Sequence, residues 1–175
     1  MLSFKQLCLG AIVSLGLASA GIAFAASDPN NPPVTPDNFV EEASAKGIAE
    51  IETAKLALEK GNEEVKAFAQ TMVDDHTLAN EKLTALAKQK NLEVSDSAEL
   101  MNQAKALVLK LRGEASFDKA YMNNQVVAHQ QTIQLFEGAS TSDDAEIAAF
   151  AKETLPTLRH HLEMAEQLNA SLPEN

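Results

Sequence analysis

From residue 39 onward the chain repeats one pattern: apolar side chains return every three or four positions, with polar and charged residues between them. Val40, Ala43, Gly47, Ile51, Ala54 and Leu58 form the first stripe. Val65, Ala69, Met72, Ala79, Leu83 and Leu86 form the second. Met122, Val126, Ile133 and Phe136 form the third, and Ile147, Ala151, Thr154, Leu158, Ala165 and Leu168 the fourth. This spacing marks the buried face of an α-helix. It predicts long helices over residues 39–60, 63–90, 117–137 and 144–169. Leu100, Ala104, Leu107 and Leu111 predict a shorter one over 98–111. β-branched and aromatic residues are few and never alternate with polar ones, so no strand is expected.

The breaks between stripes carry helix-end chemistry. Gly61 suits a left-handed cap, and Asn62 can cap the helix that follows. A turn this short predicts an antiparallel pair. Ser116 precedes the third long helix as a cap, and Asp143 and Glu146 have capping-box spacing before the fourth. Pro156 falls inside the fourth helix and is expected to bend it, since proline removes a backbone donor. The expected fold is all-α: an up-down four-helix bundle with a short extra helix between helices two and three.

The ends of the chain follow different rules. Residues 1–25 have a mildly basic start, an apolar run from Leu7 and the small-x-small site Ala23-Phe24-Ala25, the pattern of a cleaved secretory signal peptide. Residues 26–37 read as a flexible leader rich in Pro and Asn, residues 38–170 as the bundle domain and 171–175 as a tail. The expected location is therefore periplasmic or secreted, with no stable membrane anchor after cleavage. Cys8, the single cysteine, leaves with the signal, so the mature chain has neither disulfide nor thiolate ligand. Cleavage removes one Lys and no acid, which takes the formal net charge from −11 to −12. Such acidity argues against nucleic acid as a partner. It leaves a protein partner or a homo-oligomer open.

Of four histidines, His76, His129 and His161 sit within the second, third and fourth stripes, while His160 points elsewhere. Three helices would each aim one imidazole at a shared core. That is one way in which a bundle builds a metal site, and it is equally the pattern of three buried histidines satisfied by hydrogen bonds. Glu50 borders the first stripe. Symmetric pairing about Gly61 sets His76 level with Gly47, about 5 Å of rise from Glu50. The small Gly47 would then leave room for a ring or an ion. The candidate ligands are His76, His129, His161 and Glu50. Symmetric pairing of helices three and four, however, separates His129 from His161 by about 10 Å along the axis. In a metal-free core the partners would be Thr154, Tyr121, Asn124 and Glu50. Imidazole with carboxylate suits Fe, Zn, Mn or Cu, without choosing among them. Asp75 has two readings, an acceptor that orients an imidazole or part of a solvated helix face.

The segments AFAQTMVDDHTLANEKLTALA, FDKAYM, VVAHQQTIQLFE and FAKETLPTLRHHLEMA resemble an exported bacterial family, the domain of unknown function numbered 4142, over residues 39–168. The resemblance implies a ferritin-like four-helix bundle outside the cytoplasm and no established activity. A long connection between the second and third helices agrees with a ferritin-like bundle. The di-iron pattern of such bundles needs Glu-x-x-His on two helices. Here the residues three positions before the histidines are Val73, Val126, Thr157 and Leu158. A redox metalloenzyme therefore ranks third among the functions that fit. A metal-binding bundle for storage, buffering or sensing ranks second, and a non-catalytic envelope or stress-related interaction module first.

Overall fold

The computed structural model describes residues 34–92, 94, 107–108 and 117–173. Four helices account for most of them: α1 (Pro36–Lys60), α2 (Glu63–Lys90), α3 (Phe117–Ala139) and α4 (Ala145–Ser171). No strand occurs among the described residues. Of the expected short helix at 98–111, Leu107 and Val108 are helical and pack on the core. The rest of it, the signal segment and most of the leader lie outside the described residues.

The helix ends are set by local chemistry. α1 starts three residues earlier than its apolar stripe suggests, because Thr35 accepts the Asn38 N–H and Pro36 opens the first turn. Proline costs nothing there, since that N–H has no helical partner. Asn62 caps α2 by accepting from the Val65 N–H at 2.9 Å. Gly61 is extended rather than left-handed. Glycine is needed there for close approach, since a Cβ would lie 2.7 Å from Val65 and 2.8 Å from the Ala57 carbonyl. The left-handed residue is Asn91, φ 56, which closes α2. At α4 the cap is Asp144, not Asp143; its carboxylate accepts from the Glu146 and Ile147 N–H groups.

α1 packs on α2 and α3, and α4 packs on α3 and α2. Each of these pairs is antiparallel. Asp118 at the start of α3 accepts from the Asn62 N–H at the start of α2. Lys90, at the end of α2, pairs with Asp144 at 2.7 Å and Glu146 at 2.9 Å at the start of α4. So α2 and α3 begin at the same end of the bundle and run in the same direction.

The core divides in two. One half centres on Phe39, with ring centroids 5.0 Å from Phe136 and 6.2 Å from Phe150, together with Leu83, Ile147 and Leu158. The other contains Met72, Phe68, Phe117, Tyr121 and Met122. Burying a large aromatic ring in this way contributes about 3–5 kcal/mol, judged by truncation to alanine. Between the halves the stripes carry Glu50, His76, Gln125, His129 and His161, all buried. A polar layer therefore crosses the middle of the bundle.

Candidate metal centre

Each histidine reaches this layer because it falls in phase with apolar neighbours on its own helix. Met72 and Leu83 flank His76 on α2, Met122 and Ile133 flank His129 on α3, and Leu158 and Ala165 flank His161 on α4. Those neighbours fix the helix rotation, and the histidines follow. The three rings are nearly equidistant: 5.6 Å between His76 and His129, 5.5 Å between His76 and His161, and 5.4 Å between His129 and His161. One nitrogen from each ring lies within 4.8 Å of the others.

The expected separation of His129 and His161 is thus overturned. The α3–α4 register is offset from symmetric pairing about the turn. Lys119 reaches the Asn169 carbonyl at 2.9 Å, and Phe136 packs on Phe150 at 6.0 Å. The ties from Lys90 to Asp144 and Glu146 hold the first turn of α4 against α2. The offset closes a gap of about 10 Å, roughly two helical turns, and so brings the two rings together.

Two of the rings are oriented from behind. His129 Nδ1 lies 3.0 Å from the Gln125 carbonyl, to which it can only donate. His161 Nε2 lies 2.9 Å from the Asp75 carboxylate, also an acceptor. In each ring the proton is therefore placed on the bonded nitrogen and the lone pair on the other. The other nitrogens, His129 Nε2 and His161 Nδ1, are buried with no partner, as is His76 Nε2. Three unsatisfied ring nitrogens in one core are costly, since buried polar atoms ordinarily find partners. Two of the metal-free partners expected from the sequence do not serve: the Thr154 hydroxyl donates to Phe150, and Tyr121 has no hydrogen-bond partner.

Electrostatics favours the neutral form of two of the rings. Burial, then the His129 and His161 rings, pushes His76 down to about 3. Burial also lowers His161, opposed by its bond to Asp75. Metal ligands must be deprotonated, and burial favours that form in His76 and His161.

Glu50 is in the same layer but in other company. Among the described residues the group able to hold a metal is the three histidines. Burial raises the Glu50 carboxyl, and His129, Gln125 and Lys46 relieve this in part. Gln125 faces it, yet neither Gln125 amide atom closes a well-formed hydrogen bond. The room beside Gly47 is taken by Asn80, whose side chain a Cβ on Gly47 would strike. Sequence reasoning passed over Gln125, fully buried and with neither side-chain amide atom hydrogen-bonded. Gln125 sits one turn before His129, which was the available signal.

A family profile described as a domain of unknown function, DUF4142, matches residues 23–168. The chain belongs to that family. No curated protein sequence matches it. Among solved structures it resembles CopM in the silver-bound form, with TM-score 0.66 and 14% identity over 81% of this chain and 99% of that one. It also resembles CopM in the Cu(I)-bound form, with TM-score 0.62 and 18% identity over 76% and 94%. The Cu(II)-bound form gives 0.62 and 13% over 77% and 95%. At these identities the likeness is one of fold.

Proposed function

We propose that the protein binds a transition-metal ion, copper first among candidates, at His76, His129 and His161. The observation that carries this reading is the convergence of three buried, unpartnered imidazole nitrogens, two of them with the proton fixed on the far side of the ring. A three-nitrogen set at ordinary bond lengths of about 2.0–2.1 Å would have its nitrogens about 3.5 Å apart. The rings would close by about an ångström to meet it. Copper leads because it heads the affinity order for nitrogen ligands among the divalent first-row metals. The fold's likeness to CopM, whose structures carry copper and silver, supports the same choice.

The role is binding or buffering rather than catalysis, since the carboxylate-histidine pairs of di-iron sites are missing. Glu50 supplies a nearby carboxyl to offset the ion's charge. We place the protein outside the cytoplasm, on the strength of residues 1–25, whose cleavage would also remove Cys8. The test is metal analysis of untagged protein after loading with Cu, Zn, Mn or Fe and gel filtration. One equivalent of copper, lost in His129→Ala, is expected. Copper retained by the variant, or no metal retained by wild type, would overturn the proposal.

A further inference from the structure

The histidine layer is closed along the bundle axis. Met72, Tyr121 and Met122 seal one side and Leu83 and Leu158 the other, all with at most 3% of their surface exposed. Glu50 and Gln125 close the α1–α3 face. Between α2 and α4 the packing differs. A cavity of about 30 Å³ lies against His76 and His161, lined also by Asp75, Asn80, Thr132 and Thr157. That volume suits one small ion or a water molecule. Thr157 is exposed, and the Asp75 side chain is 43% exposed. These two residues stand on either side of the cavity, on α4 and α2, and belong both to its wall and to the surface.

The wall offers oxygen donors to a cation in transit. Thr132 donates its hydroxyl proton to the Ala128 carbonyl at 2.8 Å, and Thr154, also in the wall, donates to Phe150 at 2.8 Å. Their oxygens retain lone pairs for the cavity. The Asp75 carboxylate bonds to His161, so the first anionic group met from outside already touches a ring of the site.

We infer that a metal ion reaches the three histidines through this cavity, between α2 and α4, with Asp75 and Thr157 as its mouth. The inference rests on the proposed metal site and adds its access path. The path admits a bare or nearly dehydrated ion and excludes one still held in a bulky chelate.

The mouth can be narrowed without altering a ligand. Thr157→Phe and, as a second variant, Ala79→Leu place extra volume in the cavity wall. The chain holds one tyrosine and no tryptophan, so Tyr121 is its intrinsic fluorophore. It lies about 12 Å of helix rise from His129, within reach of quenching by bound Cu²⁺. Stopped-flow mixing with Cu²⁺ gives the uptake rate, and competition with a chelator gives release. Both rates should fall about tenfold in either variant with the equilibrium affinity nearly unchanged, because a narrowed path slows travel in both directions equally. Val127→Phe, on an exposed position of α3, should change neither rate. Unchanged rates in both cavity variants, or slower uptake with unaltered release, would overturn the path while leaving the site standing. Wild-type protein that binds no Cu²⁺ would overturn the site itself.

Discussion

His161 and Asp75, 86 residues apart in the chain, meet at 2.9 Å. The ring is 1% exposed and the carboxylate 43%, so the pair joins the interior of the bundle to its surface. Asp75 also holds the His161 proton on Nε2 and so leaves the lone pair of Nδ1 free to bind a metal. Removing such an outer partner typically weakens metal binding about 10–100-fold. Asp75→Ala should do so in a copper titration. Asp74→Ala, which loses only an exposed bond from Gln70, should not. Equal affinities for both variants would show that Asp75 does not orient the ring.

Copper should also stabilise the fold. A ligand at 100 times its dissociation constant adds about 2.7 kcal/mol, which in a domain of this size raises Tm by about 5–10 °C. Calorimetry with and without Cu²⁺ should show this rise for wild type and none for His76→Ala or His129→Ala. A rise of the same size in both variants would assign the copper to a surface site.

Metal-free protein should lose stability as pH falls. In the folded state His76 is held at about 3 by burial and by His129 and His161, against 6.5 when unfolded. Between those values the unfolded chain takes up a proton that the folded chain refuses. Stability is therefore complete above about pH 6.5 and declines toward pH 3, by a few kcal/mol on the scale of 1.36 kcal/mol per pKa unit. His161, lowered in the same sense, adds to the decline. Urea melts across this range measure it, and His76→Phe should flatten the profile.

Glu50 works in the opposite direction. Its carboxyl is raised above 4.5, chiefly by burial. Its contribution is fully present below that value and is lost as pH rises through the folded pKa. Glu50→Gln, which keeps the shape without a titrating proton, should be less sensitive to rising pH than wild type in the same melts. A steeper loss in the variant would mean that an ionised Glu50 stabilises the fold.

Gly47 and Asn80 form a tight contact between α1 and α2. Gly47→Ala should destabilise by about 1–3 kcal/mol, the range for overpacking. Adding Asn80→Ala removes the atoms that the new Cβ would strike and should recover most of the loss. A double-mutant cycle with no coupling would mean that Asn80 turns away without cost.

The helices were legible in the chain because helical periodicity is a local property. Residues at i, i+3 and i+4 share a face whatever they pack against, so the stripes located four long helices and three inward histidines. The resolution of that signal is about one residue. Ile51 seemed to belong to the α1 stripe, yet it is half-buried, and its neighbours Glu50 and Thr53 lie in the core. Val126 gave way to Gln125 in the same manner. The pattern marks apolar residues and cannot show that a polar one takes the centre of the stripe.

Register was outside the reach of periodicity. How far α4 slides along α3 depends on side chains distant in sequence: Lys90 against Asp144 and Glu146, Lys119 against Asn169, and Phe39 among Phe136 and Phe150. A slide of about 10 Å, roughly two turns, separates two remote histidines from a three-nitrogen cluster. The partnership of Asp75 with His161 is likewise a contact between helices, and the sequence favoured a solvated helix face for Asp75 instead. Local spacing is enough to give the helices, their buried faces and the residue types available for chemistry. That three imidazoles share one point, and that His129 and His161 each turn a lone pair toward it, depends on how whole helices are placed against one another.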